Sequence, residues 1–351
     1  MTKRQVKYLA SITAVMVTGL GAAPHPHESK HVVHPGQSIQ KAVNKARPGD
    51  TIVILPGTFR ESVRITKSNL TLRGSGADTV IKPAAGRTKN SCAQAGNGIC
   101  VTGTADHVVR KVSIRSLTVS GFKNNAIWAT GTDRLGVYGV TAEKSGKWGI
   151  AQQKSTRGVF NYNTARNNAE TGIFIANTTE REGGSLDTKG AVIRGNTLSG
   201  NRIGVTIRRS RNLTIENNTV TGNCGGIFVV GDESKPRAGA LSVVYNEVSK
   251  NNKYCAGNTR LPFIQGSGIV LTGAEDTLVR GNLVRDNVGK SPLSGGIVLF
   301  KSFVGALNER NTITFNVSLR NSPADQVNGD TGKGNKFRSN VCRSSKPAGL
   351  C

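Results

Sequence analysis

Large side chains are scarce in this 351-residue chain: aromatics make up 5%, with two tryptophans and five tyrosines, and methionine occurs twice. Set beside 43 glycines and frequent asparagine, that scarcity argues against a helical or doubly wound α/β protein and for short strands between many tight turns. Carboxylates are few as well, 21 Asp and Glu against 47 Lys and Arg. None of the six cysteines stands in a metal-type CxxC spacing, and the only histidine beyond residue 34 is His107. These absences exclude a thiol-centred site and give no motif for a Ser-His-Asp triad. No shift in composition marks a linker, so the chain is read as one elongated domain.

The N-terminus carries Lys3, Arg4 and Lys7, an apolar run from Tyr8 to Leu20 and then Gly21, Ala22 and Ala23. This is the three-part pattern of an export signal, and the run is too short for a membrane anchor. We therefore expect a signal peptide over 1–23, a secreted monomer without a transmembrane anchor, and a flexible His-containing segment over 24–34. That segment holds His25, His27, His31 and His34, a composition suited either to a transition metal or to a tether. Removing Lys3, Arg4 and Lys7 from the formal +26 leaves about +23 on the mature chain. Outside the cell such a charge meets acidic polymers: uronate polysaccharide, teichoic acid or nucleic acid. A charge that serves solubility alone is the plainer alternative. In an exported chain the six cysteines suggest three disulfides, and neighbours in sequence are favoured: Cys92 with Cys100, Cys224 with Cys255, Cys342 with Cys351.

Asparagine supplies the repeat. Pairs five residues apart recur at Asn163/Asn168, Asn196/Asn201, Asn218/Asn223, Asn246/Asn251, Asn282/Asn287 and Asn311/Asn316, with Asn340 opening a seventh rung. Residues between the two columns alternate, as in Thr219-Val220-Thr221, and a strand with a Gly-Ile or Gly-Val start follows at Gly149, Gly172, Gly204, Gly226, Gly268 and Gly296. A third strand, as in Leu213-Thr214-Ile215, precedes each first-column Asn. Three strands per coil of about 22 residues predict a three-sided prism, an all-β solenoid over 35–351 whose coils bury their apolar edges only by stacking. Asn suits the corner because it tolerates a left-handed turn, and its amide can bond from rung to rung. Excess length between successive glycines places loops at 177–190, 231–240, 252–267 and 289–295, beside the Gly-Ile strand. Ser38 is positioned to cap a short helix with Ile39, Ala42, Val43 and Ala46 on one face, closing the open end of the core.

The stretch PGQSIQKAVNKARPGDTIVILPGTFRESVRI, residues 35–65, followed by the Asn-marked coils, resembles the pectate-lyase-like superfamily of right-handed parallel β-helix proteins. It is most similar to members with carbohydrate-binding and sugar-hydrolase-type repeats. The likeness covers nearly all of the mature chain and implies fold rather than reaction, because that superfamily includes lyases, epimerases, hydrolases, esterases and binders. This sequence lacks the Asn-Thr-Asp, Asp-Asp and His-Gly set of polygalacturonases, the Asp-Pro-His-Asp run of alginate epimerases and the clustered strand Asp residues of calcium-dependent pectate lyases.

Ligands of the superfamily lie beside the longest loops, which here flank the Gly-Ile strand. Alternation predicts two outward columns on it: Trp128, Ala151, Phe174, Thr206, Phe228, Val270, Val298, and then Thr130, Gln153, Ala176, Arg208, Val230, Thr272, Phe300. Trp128, Phe174 and Phe228 would form a saccharide platform, with Gln153 beside it, unless the loops fold back over the rings. Two residues before the Gly, adjacent rungs carry Lys147, Glu170 and Arg202. For β-elimination or C5 epimerisation of a uronate, Lys147 would be the base, with Arg202 and Arg208 holding the carboxylate. The plainer reading is a surface salt-bridge ladder. The loops carry Asp133, Glu180, Glu182, Asp232, Glu233, Glu275 and Asp276, which would suit a two-carboxylate glycoside hydrolase or a calcium site. The expectation is thus a secreted binder of acidic polysaccharide, with lyase-like or epimerase chemistry if catalytic and no cofactor, calcium being the alternative. Against it stand a noncatalytic adhesive rod of the envelope or matrix and a hydrolase.

Overall fold

A computed structural model of the chain describes residues 29–86, 89–178, 183–259 and 261–351. The expected signal, His25, His27, Glu180 and Glu182 lie outside the described residues. Each coil between the first and the last passes through three parallel sheets, A, B and C, of 12, 10 and 11 strands. One coil shows the plan: Gly136–Tyr138 in A, Thr141–Glu143 in B and Ile150–Gln153 in C. Its inward side chains Val137, Ala142 and Ile150 are fully buried. They stack in register on Ile114, Val119 and Ile127 of one neighbouring coil and on Phe160, Ala165 and Ile173 of the other. Each large inward side chain contributes about 1.5–3 kcal/mol by leaving water, which a lone coil cannot achieve.

The corners are fastened by asparagine. Asn196 Oδ1 accepts from Asn163 N at 2.8 Å and Asn163 Nδ2 at 3.0 Å, while Asn196 Nδ2 donates to Phe160 O and to Asn218 Oδ1, both at 2.8 Å. Both N–H donors and both acceptor positions of the buried amide are therefore used. The same relay runs through Asn218, Asn246, Asn282, Asn316 and Asn340 at the A to B corner. A second relay runs through Asn168, Asn201, Asn223, Asn251, Asn287 and Asn321 at the B to C corner. This corrects one rung of the repeat. Asn316 belongs to the first column with Asn321 as its partner, and Asn311 stands at the C to A corner, bonded to Asn335. Three asparagines spaced by five, at 311, 316 and 321, give the sequence pattern two registers there.

In the first coil helix α1 (Ile39–Lys45) stands where strands of B and C would run. Ser38 caps it by accepting from Lys41 N, Glu61 accepts from Ile39 N and Gln40 N, and Ile39 and Val43 close the end of the core. The solenoid begins earlier than expected. Lys30–Val33 is the edge strand of sheet A, paired in register with Thr51–Ile54, so the flexible segment does not extend over 30–33. The reason is Asp50, whose carboxylate accepts from Arg47 N at 2.8 Å and Ser29 N at 3.1 Å and meets His31 Nε2 at 2.8 Å. Led by the Arg47 bond and then His31, these donors hold the carboxyl down at about 2. All three expected disulfides are formed.

Candidate functional site

Strand pairing in sheet C reproduces both outward columns, Trp128 to Val298 and Thr130 to Phe300, rung for rung. What the columns face differs along the rod. Toward the N-terminal end the Cys92–Cys100 disulfide ties the helix Ser91–Gln94 over the strand Ile99–Thr102. Farther along, Cys224–Cys255 ties the 252–267 loop down, and Ile264 packs with Phe228, Val270, Leu293 and Val298 in a second small core outside the solenoid. Phe228 is 2% exposed beneath that cover and is not part of a sugar platform.

Between the two covers a window remains. In it Trp128, Trp148 and Phe174, from three successive coils, stack with ring centroids 5.9 and 4.1 Å apart and planes 15° and 4° from parallel. Trp148 was not among the expected residues. It lies two positions before the strand Ile150–Gln153, on an outward position that later coils continue as strand, at Thr171 and Ile203. Phe174 is the inner plate of the stack, buried behind Trp148, and Trp128 is the half-exposed outer one. Gln153 is buried too, so it supports the floor of the window rather than facing a ligand.

The expected Lys147, Glu170, Arg202 row exists on adjacent rungs: Glu170 N donates to Lys147 O at 2.8 Å and Arg202 N to Glu170 O at 2.9 Å. Its side chains divide into two roles. Lys147 Nζ is 4.1 Å from the centroid of the Trp148 ring, at the exposed rim of the window. Arg202 is buried and donates to Ala256 O at 2.7 Å, with Glu170 Oε2 at 3.7 Å from its Nε. It fastens the loop cover, so it is not placed to hold a substrate carboxylate. Arg208 is half-buried in the second outward column, between Ala176 and Val230.

Of the described loop carboxylates, Asp133, Asp232, Glu275 and Asp276 are held by arginine, and Glu233 is exposed. Asp133 accepts two bonds of 2.7 Å from Arg157, which lowers its pKa against the opposing effect of burial. Asp232 pairs with Arg209, both buried, and Glu275 with Arg211 and Arg310. Asp276 pairs with Arg310, whose bonds lower its pKa. Among the described residues no three His, Cys, Asp or Glu side chains converge as a metal-binding group, and His31, from the expected histidine tract, is engaged with Asp50. No helix among them is long and apolar enough to cross a membrane.

The family model described as "Right handed beta helix region" matches residues 59–238 and 181–351. Among solved structures the chain is similar to the A-module of mannuronan C-5 epimerase AlgE6 of Azotobacter vinelandii, at TM-score 0.59 and 17% identity, covering 87% of this chain and 89% of that one. It is similar to DFA-IIIase of Arthrobacter chlorophenolicus A6, at TM-score 0.59 and 14% identity, covering 92% and 84%. The Dettilon tailspike protein gp208 aligns at TM-score 0.51 and 16% identity, covering 89% and 68%. At such identities the likeness is one of fold. No curated protein matches the sequence.

Proposed function

The chain belongs to the right-handed β-helix family, and on that premise we propose that it is a secreted binder of a linear acidic polysaccharide, which it holds at the sheet C window. The observation that carries this reading is the Lys147 ammonium seated on Trp148 within the Trp128, Trp148, Phe174 stack. Flat rings match the faces of sugar rings, and the cation at their rim matches a uronate carboxylate. Three disulfides and the N-terminal leader pattern support export. The excess of 47 basic over 21 acidic residues supports a polyanionic partner. The AlgE6 module, a neighbour in fold, is named for its action on mannuronan, itself a polyuronate.

The side-chain geometry favours binding over bond cleavage. A base that removes the C5 proton must be a neutral amine, whereas the negative face of an indole attracts the ammonium form. Hydrolysis by paired carboxylates needs one acid free to donate a proton, and Asp133, Asp232, Glu275 and Asp276 are each engaged by arginine. The test is incubation of the full chain with polyuronates and neutral glucans, following retention, ultraviolet absorbance of unsaturated products and reducing ends. Retention on polyuronates with no product signal is expected. Product growth that Lys147→Ala abolishes would replace the binder by a lyase.

A further inference from the structure

At the corner between sheets A and B, the residue just before each first-column Asn takes a left-handed conformation. Gly195, Asn217, Gly281 and Ser339 fill that position in four coils, with φ between 52° and 64°. In three other coils it is filled by Tyr162 (φ 58°), Tyr245 (φ 57°) and Phe315 (φ 53°). Bulky residues rarely adopt this backbone, and here burial does not compensate, since the three are 68%, 55% and 58% exposed. The next corner takes the same backbone with Lys144, Asn167 and Lys250, so what sets these three apart is an exposed aromatic ring.

The neighbouring coils are adapted to the rings. A Cβ added at Gly195 would lie 2.6 Å from the Tyr162 ring, and one at Gly281 would lie 2.6 Å from the Tyr245 ring. Each tyrosine thus lies against the bare turn of the next coil. The three rings fall in one line parallel to the rod axis, separated by three and then two rungs, or roughly 14 and 10 Å at the parallel-strand spacing. Along the A side of that line, the last residue of each strand forms a column that contains Arg115, Arg280 and Arg338, all exposed. Arg115 lies over the Tyr138 ring at 5.0 Å and Arg280 over Phe315 at 5.3 Å. The acids of the two columns that border the rings, Glu216 and Glu247, are paired with Arg194 and Arg285.

We propose that this corner is a second polysaccharide track, distinct from the sheet C window, in which Tyr162, Tyr245 and Phe315 take the sugar faces of a linear polyanionic glycan lying along the rod, and Arg115, Arg280 and Arg338 take its anionic groups. Rings alone would suit a neutral glycan as well; the arginine column beside them selects the charged one. With tracks on two different sides, the rod can hold two chains of polymer at once.

The variants follow from the column itself: Tyr162→Asn, Tyr245→Gly and Phe315→Asn place residue types that the same corner already carries. Combined in the full chain, and again in a Trp128→Ala background that disables the window, they are measured for retention on polygalacturonate and polymannuronate and for thermal midpoint. The expected result is affinity lowered by about tenfold or more in both backgrounds, with a midpoint unchanged or raised. Undiminished retention would overturn the proposal, as would a lowered midpoint, which would mark the rings as packing. A concentration-dependent self-association that the variants abolish, with glycan retention intact, would assign the corner to a second copy of the chain instead. The triple variant Arg115→Gln, Arg280→Gln, Arg338→Gln keeps the rings and should flatten the salt dependence of retention; an unchanged slope would count against the track.

Discussion

Lys147 and Trp148 are adjacent in sequence, yet the Lys147 Nζ lies 4.1 Å from the centroid of the Trp148 ring. The turn before the strand Ile150–Gln153 folds the ammonium back onto the indole, and Phe174 supports the ring from the next coil at 4.1 Å between centroids. Trp148 is itself buried between Phe174 and Trp128, so the pair sets a positive charge beside the half-exposed Trp128 plate.

Lys147→Gln removes the charge and leaves the stack. A cation–π contact at an exposed rim is worth about 0.5–1 kcal/mol, so the thermal midpoint should change little. Polyuronate affinity should fall several-fold and lose part of its salt dependence, as read by affinity electrophoresis at two ionic strengths.

Asn218→Ala breaks the corner relay in its interior. It leaves the backbone N–H and one amide N–H of Asn196 without their acceptor, while Asn246 Oδ1 loses the side-chain donor and keeps the bond from the backbone N of residue 218. Each orphaned buried group costs about 1–3 kcal/mol. Chemical denaturation should therefore show a much larger loss than Asn217→Ala, one residue away on the exposed turn.

Acid should loosen the N-terminal end first. Asp50 is held down at about 2 from an ordinary 3.8. A depressed carboxylate pKa adds stability that is fully present above the unfolded value and is lost as pH falls through the folded one. The benefit is thus complete at pH 7 and disappears between about pH 4 and pH 2. Asp50→Asn should speed amide exchange of residues 30–33 at neutral pH and lose that difference near pH 2.

The loop cover over Phe228 depends on Cys224–Cys255, which closes 31 residues. A crosslink of this loop length contributes about 3–4 kcal/mol, mainly by constraining the unfolded chain. The double variant Cys224→Ser, Cys255→Ser should melt earlier and bind an apolar dye at the uncovered Phe228, Val270 and Ile264 surface.

Much of this was legible because the left-handed corner selects Asn and Gly at a fixed distance from each inward apolar residue. The repeat, the three faces and the column Trp128, Ala151, Phe174, Thr206, Phe228 follow from that spacing alone. Where the corner signal was ambiguous, at 311, 316 and 321, the register slipped by one corner. Loop paths were not legible, since the path back over Phe228 is fixed by a distant disulfide and by the bond from Arg202 to Ala256. Trp148 escapes an outward column that starts at the glycine, because it lies one residue before Gly149 yet packs on the same outer face as Ala151 and Phe174. The strand at Lys30–Val33 needed Asp50, 20 residues ahead, to organise it.

The two tryptophans of the whole chain are Trp128 and Trp148, and both lie in the stack. Intrinsic tryptophan fluorescence therefore reports on the window and nothing else. Titration with oligogalacturonate or oligomannuronate should shift and quench that emission saturably, more weakly at high salt, and with no response to neutral oligosaccharides of equal length. Emission that stays unchanged while polyuronate is retained by the same sample would contradict binding at the window.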